Sequence, residues 1–241
     1  MTDKAKTKDM LLEELSMMRR RIAELADRDR AHRQEVVLMA KHIEKLKNIL
    51  RDTVVTLAST VDTKDPYKTG HQKRTATLVH IIARKLGYAE KKIQEIYLAA
   101  LVHDIGKLNV PSELLTKTGQ LLEKDYMLIK DHPRIGANIL QKVEFAPEVC
   151  EMVFQHHERM NGSGYPRGLK GEEIMPEARI LAVADVMEAI ASQRSYRKSF
   201  GIDKALKEVT SFRGMLYDPK VVNVCVELFK NKTFRWDEKT V

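Results

Sequence analysis

Apolar residues near the start of the chain recur every three or four positions: Leu11, Leu15, Met18, Ile22 and Leu25, then Val36, Met39, Ile43, Leu46 and Leu50. One heptad frame holds them all, with Leu15, Ile22, Val36, Ile43 and Leu50 at a and Leu11, Met18, Leu25, Met39 and Leu46 at d. Asp29 and His32 interrupt the same seam, which is a coiled-coil pattern with one polar layer. No glycine or proline occurs before Pro66, so an uninterrupted helix is permitted over about residues 8–62. A forty-residue helix is roughly 60 Å long, more than a small domain can cover. The pattern therefore predicts a parallel second copy as partner, making a homodimer.

Composition shifts at 63–70 (TKDPYKTG), where Pro66 and Gly70 mark a turn. Helical periodicity then resumes. Leu78, Val79, Ile82 and Leu86 share one face of a helix over 71–86, with Gly87 as its stop. Further helices are expected at 90–102, 123–131, 134–143, 148–157, 177–192, 203–212 and 220–230. Pro133 and Pro147 stand at helix starts, and Asp218-Pro219 caps the last helix. No segment alternates convincingly as a strand. The fold class read from this is all-α: a helical bundle preceded by a long N-terminal coiled-coil helix. The expected divisions are a dimerisation helix at 1–60, the main domain at 61–231 and a short charged tail at 232–241.

Composition adds little to this picture. The 241 residues suit one good-sized core with an appendage, and 43% hydrophobic content is ordinary for a globular protein. No apolar run approaches the ~20 residues of a membrane helix, and the charged opening MTDKAKTKDM lacks a signal-peptide core. A cytoplasmic protein without membrane insertion is expected. Cys150 and Cys225 read as reduced core thiols. The net charge of +8 is compatible with an anionic, phosphate-bearing ligand, although most of it reads as solvated surface.

Candidate chemistry centres on Leu101-Val102-His103-Asp104-Ile105-Gly106-Lys107. An imidazole and a carboxylate side by side at a buried helix end cost free energy unless something pairs them, and a bound metal is one such partner. His71, His132, His156, His157 and Asp185 lie elsewhere at helix ends or within helices, whereas His32, His42 and His80 read as structural. Adjacent residues on a helix point about 100° apart, so His156 and His157 can serve one centre only at a helix end. A mixed imidazole and carboxylate set suits two divalent ions such as iron or manganese better than structural zinc. Two ions ~3.5–4 Å apart generate a hydroxide at neutral pH and clamp both oxygens of a displacement at phosphorus, which suggests phosphoester hydrolysis.

HDIGK (103–107), HHER (156–159), NGSGYP (161–166), EARILAVADVMEA (177–189) and RSYR (194–197) together resemble the HD-GYP subgroup of the HD phosphohydrolase superfamily. The likeness runs over about residues 62–229. It implies a bimetal phosphodiesterase that converts cyclic di-GMP to pGpG, and in some members to GMP. By motif, the metal ligands would be His71, His103, Asp104, His132, His156, His157 and Asp185, with Asp104 bridging. Lys107 would contact the scissile phosphate. Gly164, Tyr165 and Pro166 would shape one wall of the cleft, and Arg194 and Arg197 would engage the dinucleotide, since a guanidinium grips phosphate or a guanine edge.

The chain departs from that pattern in three places. Tyr67 stands where some relatives carry a glutamate that helps bind a third metal, so two ions are expected. Asn161 replaces the usual aspartate, and Ser195 the usual proline. Alternatives remain: a phosphohydrolase acting on another nucleotide, or a silent dinucleotide-binding adaptor. A separate sensor or signalling protein is a further candidate partner, and DNA is not.

Overall fold

The heptad segment folds as one helix, α1 (Lys8–Lys64), whose 57 residues span about 85 Å. The computed structural model describes residues 7–64, 70–117, 119–120, 122–142, 145–192, 201–231 and 233–236. The chain divides into two units, Met1–Asp52 and Thr53–Val241. In the first unit the a and d residues are exposed, Ile22 to 66% and Leu46 to 64%. In the second unit the last turns of α1 bury Val54 and Val61 in the core. The core therefore recruits two valines, seven residues apart, from the far end of the helix. No helix among the described residues is long and apolar enough to cross a membrane.

The second unit continues with α2 (His71–Lys85), α3 (Glu90–Val102), α4 (Ser112–Leu115), α5 (Glu123–Lys130), α6 (His132–Lys142) and α7 (Pro147–Gln155). It closes with α8 (Pro176–Ala191), α9 (Gly201–Ser211) and α10 (Pro219–Lys230). Short 3-10 turns occupy Ile105–Asn109 and Gly171–Glu173, and no strand occurs among the described residues. Gly87, with φ of +82°, turns the chain between α2 and α3, and Asp218 caps α10 by accepting Lys220 N–H at 2.7 Å. Both cysteines are buried and free.

Helix α8 organises the bundle. It packs on α2, α7 and α9, and its residues Ala178 to Asp185 are all buried. A helix apolar all round belongs in the middle of a domain. Its three buried charges must then find partners, because an unpaired one would be prohibitive. Arg179 donates to the Ile174 carbonyl at 2.9 Å and pairs with Asp218 at 3.2 Å. Asp185 and Glu188 both turn toward α2.

Residues 233–236 do not project as a charged tail. Phe234 is buried against Phe229, with ring centroids 5.3 Å apart, and the Trp236 indole donates to the Arg74 carbonyl at 3.3 Å. Three aromatic rings within eight positions, Phe229, Phe234 and Trp236, outweigh the surrounding charges.

Candidate metal centre

Five helix ends or helix faces bring the proposed ligands together. His71 opens α2, His103 and Asp104 follow α3, His132 opens α6, His156 and His157 follow α7, and Asp185 lies within α8. All but the half-buried His157 are buried. The structure thus assembles every one of the seven residues singled out for metal binding.

They form two groups that share Asp104: one with His132, His156 and His157, the other with His71 and His103. Asp104 Oδ1 lies 3.2 Å from His132 Nε2. Asp104 Oδ2 lies 3.6 Å from His103 Nε2 and 3.9 Å from His71 Nε2. Asp185 Oδ1 joins the second group, 3.1 Å from His71 Nε2 and 3.7 Å from His103 Nε2. The carboxylate of Asp104 therefore presents one oxygen to each group.

The imidazoles are oriented for metal binding. His103, His132 and His156 each donate Nδ1–H to a backbone carbonyl three residues earlier, at 2.7, 2.7 and 2.6 Å. This fixes the tautomer and leaves Nε2 as a bare lone pair. The Nε2 atoms of His132 and His156 then face each other at 3.2 Å, and His103 Nε2 is buried without a hydrogen-bond partner. Two lone pairs at that distance repel unless a cation lies between them. The separation matches two ligands on one ion, since bonds of ~2.1 Å place neighbouring donors about 3 Å apart. The donor set therefore fits divalent metal ions.

Electrostatics agree. Burial lowers the pKa of His132, and it holds His156 and His157 well below the ordinary imidazole range, with neighbouring imidazoles adding to the effect. Neutral imidazoles are the metal-binding form. Burial alone would raise the Asp185 carboxyl, but His103 and His71 outweigh it and hold that group well below the usual carboxylate range. Lys107, itself buried, places Nζ 2.7 Å from Asp104 Oδ2.

The loop after α7 forms a wall beside the centre. The Tyr165 ring lies 4.8 Å from the His157 ring, and Lys130 Nζ lies 5.4 Å from the Tyr165 ring centroid. A Cβ on Gly164 would fall 2.4 Å from the Glu158 Cα, so only glycine lets this loop close on the helix end. The amide of Asn161 replaces a carboxylate without losing the local turn: its Oδ1 accepts Ser163 N–H at 3.0 Å and Ser163 Oγ–H at 2.7 Å. Arg194, Arg197, Ser195 and Tyr67 lie outside the described residues.

Three buried residues beside the candidate centre, Glu158, Glu188 and Arg74, escaped the sequence reading. Glu158, 2% exposed, accepts the Arg167 and Leu169 amides at 2.7 and 3.0 Å and so ties down the loop that contains Pro166. Glu188 accepts His71 Nδ1–H and pairs with Arg74 at 2.6 Å. Burial resists ionisation of Glu188, yet His71 and the Arg74 guanidinium bring its pKa down to about 2. The available signal was a pair of acids, Asp185 and Glu188, three residues apart on an otherwise apolar helix.

Comparison with known proteins places this geometry. A family model described as HD domain matches residues 55–221. The cyclic di-GMP phosphodiesterase response regulator RpfG of Xanthomonas campestris is 38% identical over 175 residues, 72% of this chain and 46% of its own. The 3'3'-cGAMP-specific phosphodiesterase 1 of Vibrio cholerae is 41% identical over 150 residues, 62% of this chain and 35% of its own. The chain thus spans less than half the length of these two curated relatives. Among solved structures, Bd1817, an HDG"Y"P protein from Bdellovibrio bacteriovorus, matches with a TM-score of 0.55 and 28% identity. That match covers 66% of this chain and 51% of the other.

Proposed function

The chain belongs to the HD domain family, and on that footing we propose that it is a metal-dependent phosphodiesterase that hydrolyses cyclic di-GMP to pGpG, with GMP as the alternative end product. The observation that carries the reading is the double reach of Asp104, whose two oxygens lie 3.2 and 3.6 Å from imidazoles of different groups. The proposed cofactors are two divalent ions, iron or manganese. They would be held by His71, His103, Asp104 and Asp185 on one side and by Asp104, His132, His156 and His157 on the other. When bound, such a pair supplies Lewis acidity toward a phosphate oxygen and lowers the pKa of water.

The remaining roles belong to the chain's own side chains. Lys107 holds a fixed cation beside Asp104, where negative charge grows on the scissile phosphate. Gly164, Tyr165 and Pro166 shape one wall of the cleft, and Arg194 and Arg197 engage the dinucleotide. The names of the relatives support a cyclic dinucleotide as the substrate class. A second reading has its own support, because the relative with 41% identity is named for 3'3'-cGAMP.

Chromatography of products from the manganese-loaded or iron-loaded chain, given each dinucleotide in parallel, tests both readings. Linear pGpG from cyclic di-GMP is expected, and the same chromatogram shows whether hydrolysis runs on to GMP. Preferential cleavage of 3'3'-cGAMP would move the assignment to the second reading, and two bound ions without a product from either would leave an adaptor. Lys107→Ala is expected to slow turnover about 10²-fold while metal content, measured by elemental analysis, stays near normal. Removing a neighbouring cation does not weaken cation binding, so a stripped metal site would overturn the role given to Lys107.

The proposal extends to assembly and place: a cytoplasmic homodimer paired through residues 1–60, with 61–231 as the catalytic domain, and α1 as the contact for a separate sensor or signalling protein. Deleting residues 1–50 is expected to leave a helical, folded unit that sediments as a monomer. A truncated chain that still sediments as a dimer would count against pairing through α1.

A further inference from the structure

The two halves of the centre differ in what stands behind their ligands. On one half, His132 and His156 are oriented by the backbone carbonyls of Ile129 and Val153. On the other half, His103 is likewise oriented by the Ala100 carbonyl, but His71 turns Nδ1–H to a carboxylate oxygen, Glu188 Oε2. The second oxygen of Glu188 is held from three directions. Arg74 Nε donates to Oε1 at 2.7 Å, the terminal guanidinium nitrogen lies 2.6 Å away, and Ser192 Oγ–H donates at 2.5 Å. A buried carboxylate so clamped has little rotational freedom, and its charge raises the donor strength of the imidazole it touches. The first sphere is unequal in the same sense. Asp185 Oδ1 lies 3.1 Å from His71 Nε2, giving that half two carboxylates, whereas the other half combines Asp104 with three imidazoles.

We propose that Glu188, clamped by Arg74, is the positioning residue of His71 and makes the two ion positions unequal. The ion held by His71, His103, Asp104 and Asp185 binds first and more tightly, and the ion at His132, His156 and His157 is the one that exchanges. This rests on the two-ion reading given above.

Titration of the metal-free full chain with Mn²⁺, followed by calorimetry and by the electron paramagnetic resonance of free Mn²⁺, tests it without any activity measurement. Two resolved steps are expected for the unaltered protein. Glu188→Gln is expected to weaken the tighter step by about 10–100-fold and leave the other unchanged. Glu188→Asp, which keeps the charge, restores part of the loss. His157→Ala, on the opposite half, is expected to remove the weaker step and spare the tighter one. If Glu188→Gln fails to fold, Arg74→Gln combined with Glu188→Gln removes both buried charges and carries the same test. The wild-type and His157→Ala titrations decide the order of filling whether or not either variant folds. Equal affinities in the unaltered protein, or a Glu188 variant that weakens both steps alike, would overturn the proposal. A chain that binds no Mn²⁺ would instead overturn the two-ion reading itself.

Discussion

Asp104→Ala is expected to abolish phosphodiesterase activity, by at least about 10³-fold, and to remove both ions rather than one. Each oxygen of Asp104 faces a different ligand group, at 3.2 Å from His132 and 3.6 Å from His103. Losing a shared carboxylate removes a donor from both sites at once, and metal activation is worth several kcal/mol, each 1.36 kcal/mol being about tenfold in rate. The substitution also leaves Lys107 as a buried cation without the carboxylate it now pairs with. Asp104→Asn, which keeps the shape and one oxygen, separates these effects: it is expected to retain the fold and still lose activity. Elemental analysis beside a product assay reads both outcomes, and an Asp104→Ala protein that kept two ions would refute the bridging role.

The second large effect is expected at a residue with no side chain. A Cβ on Gly106 would lie 1.9 Å from the His132 carbonyl oxygen and 2.6 Å from the Gly136 nitrogen. Both obstacles are backbone, so no rotamer change relieves the clash. Gly106→Ala must push the 3-10 turn away from α6, and that separates Asp104 from His132. The expected cost is about 3 kcal/mol, the upper end for overpacking, which lowers the melting temperature of a domain of this size by roughly 6–12 °C. Metal binding is expected to fall with it. Gly136→Ala meets its nearest neighbours at 3.3 Å and should cost less. Thermal melts of the two variants decide the matter; equal melting temperatures would mean that the close approach is not rigid.

Gly106 also marks what could not be read from the sequence. Helices α2, α3 and α10 were legible because each carries its own periodicity and its own end signals, such as Gly87 and Asp218. The 3-10 turn at Ile105–Asn109 has none. Its shape comes from packing against α6, a segment that begins 23 positions after it ends. The residues of the candidate metal centre were legible because His103-Asp104 and His156-His157 put polar groups where the helix pattern expects burial. The groups behind them were harder to find. Glu158 reads as one more surface acid in a polar loop, and only the folded chain reveals that it accepts two amides. Glu188 had a signal in the apolar surroundings of α8, but Arg74, its partner, lies on a helix rich in exposed charge. Phe234 and Trp236 were hidden by the lysines and acids around them, since composition averages over a window and burial does not.

The anchoring of the loop by Glu158 has a mechanical consequence. The carboxylate that fastens the amides of Arg167 and Leu169 belongs to the residue directly after His157. Ligand and loop therefore hang from a single hinge post, and neither swings without the other. A guest too large for this side is not admitted by letting the loop give way, because that would break both bonds to the buried Glu158 carboxylate and displace the neighbouring imidazole from the candidate centre. Whatever adjustment admits a bulkier guest must be made by the opposite rim.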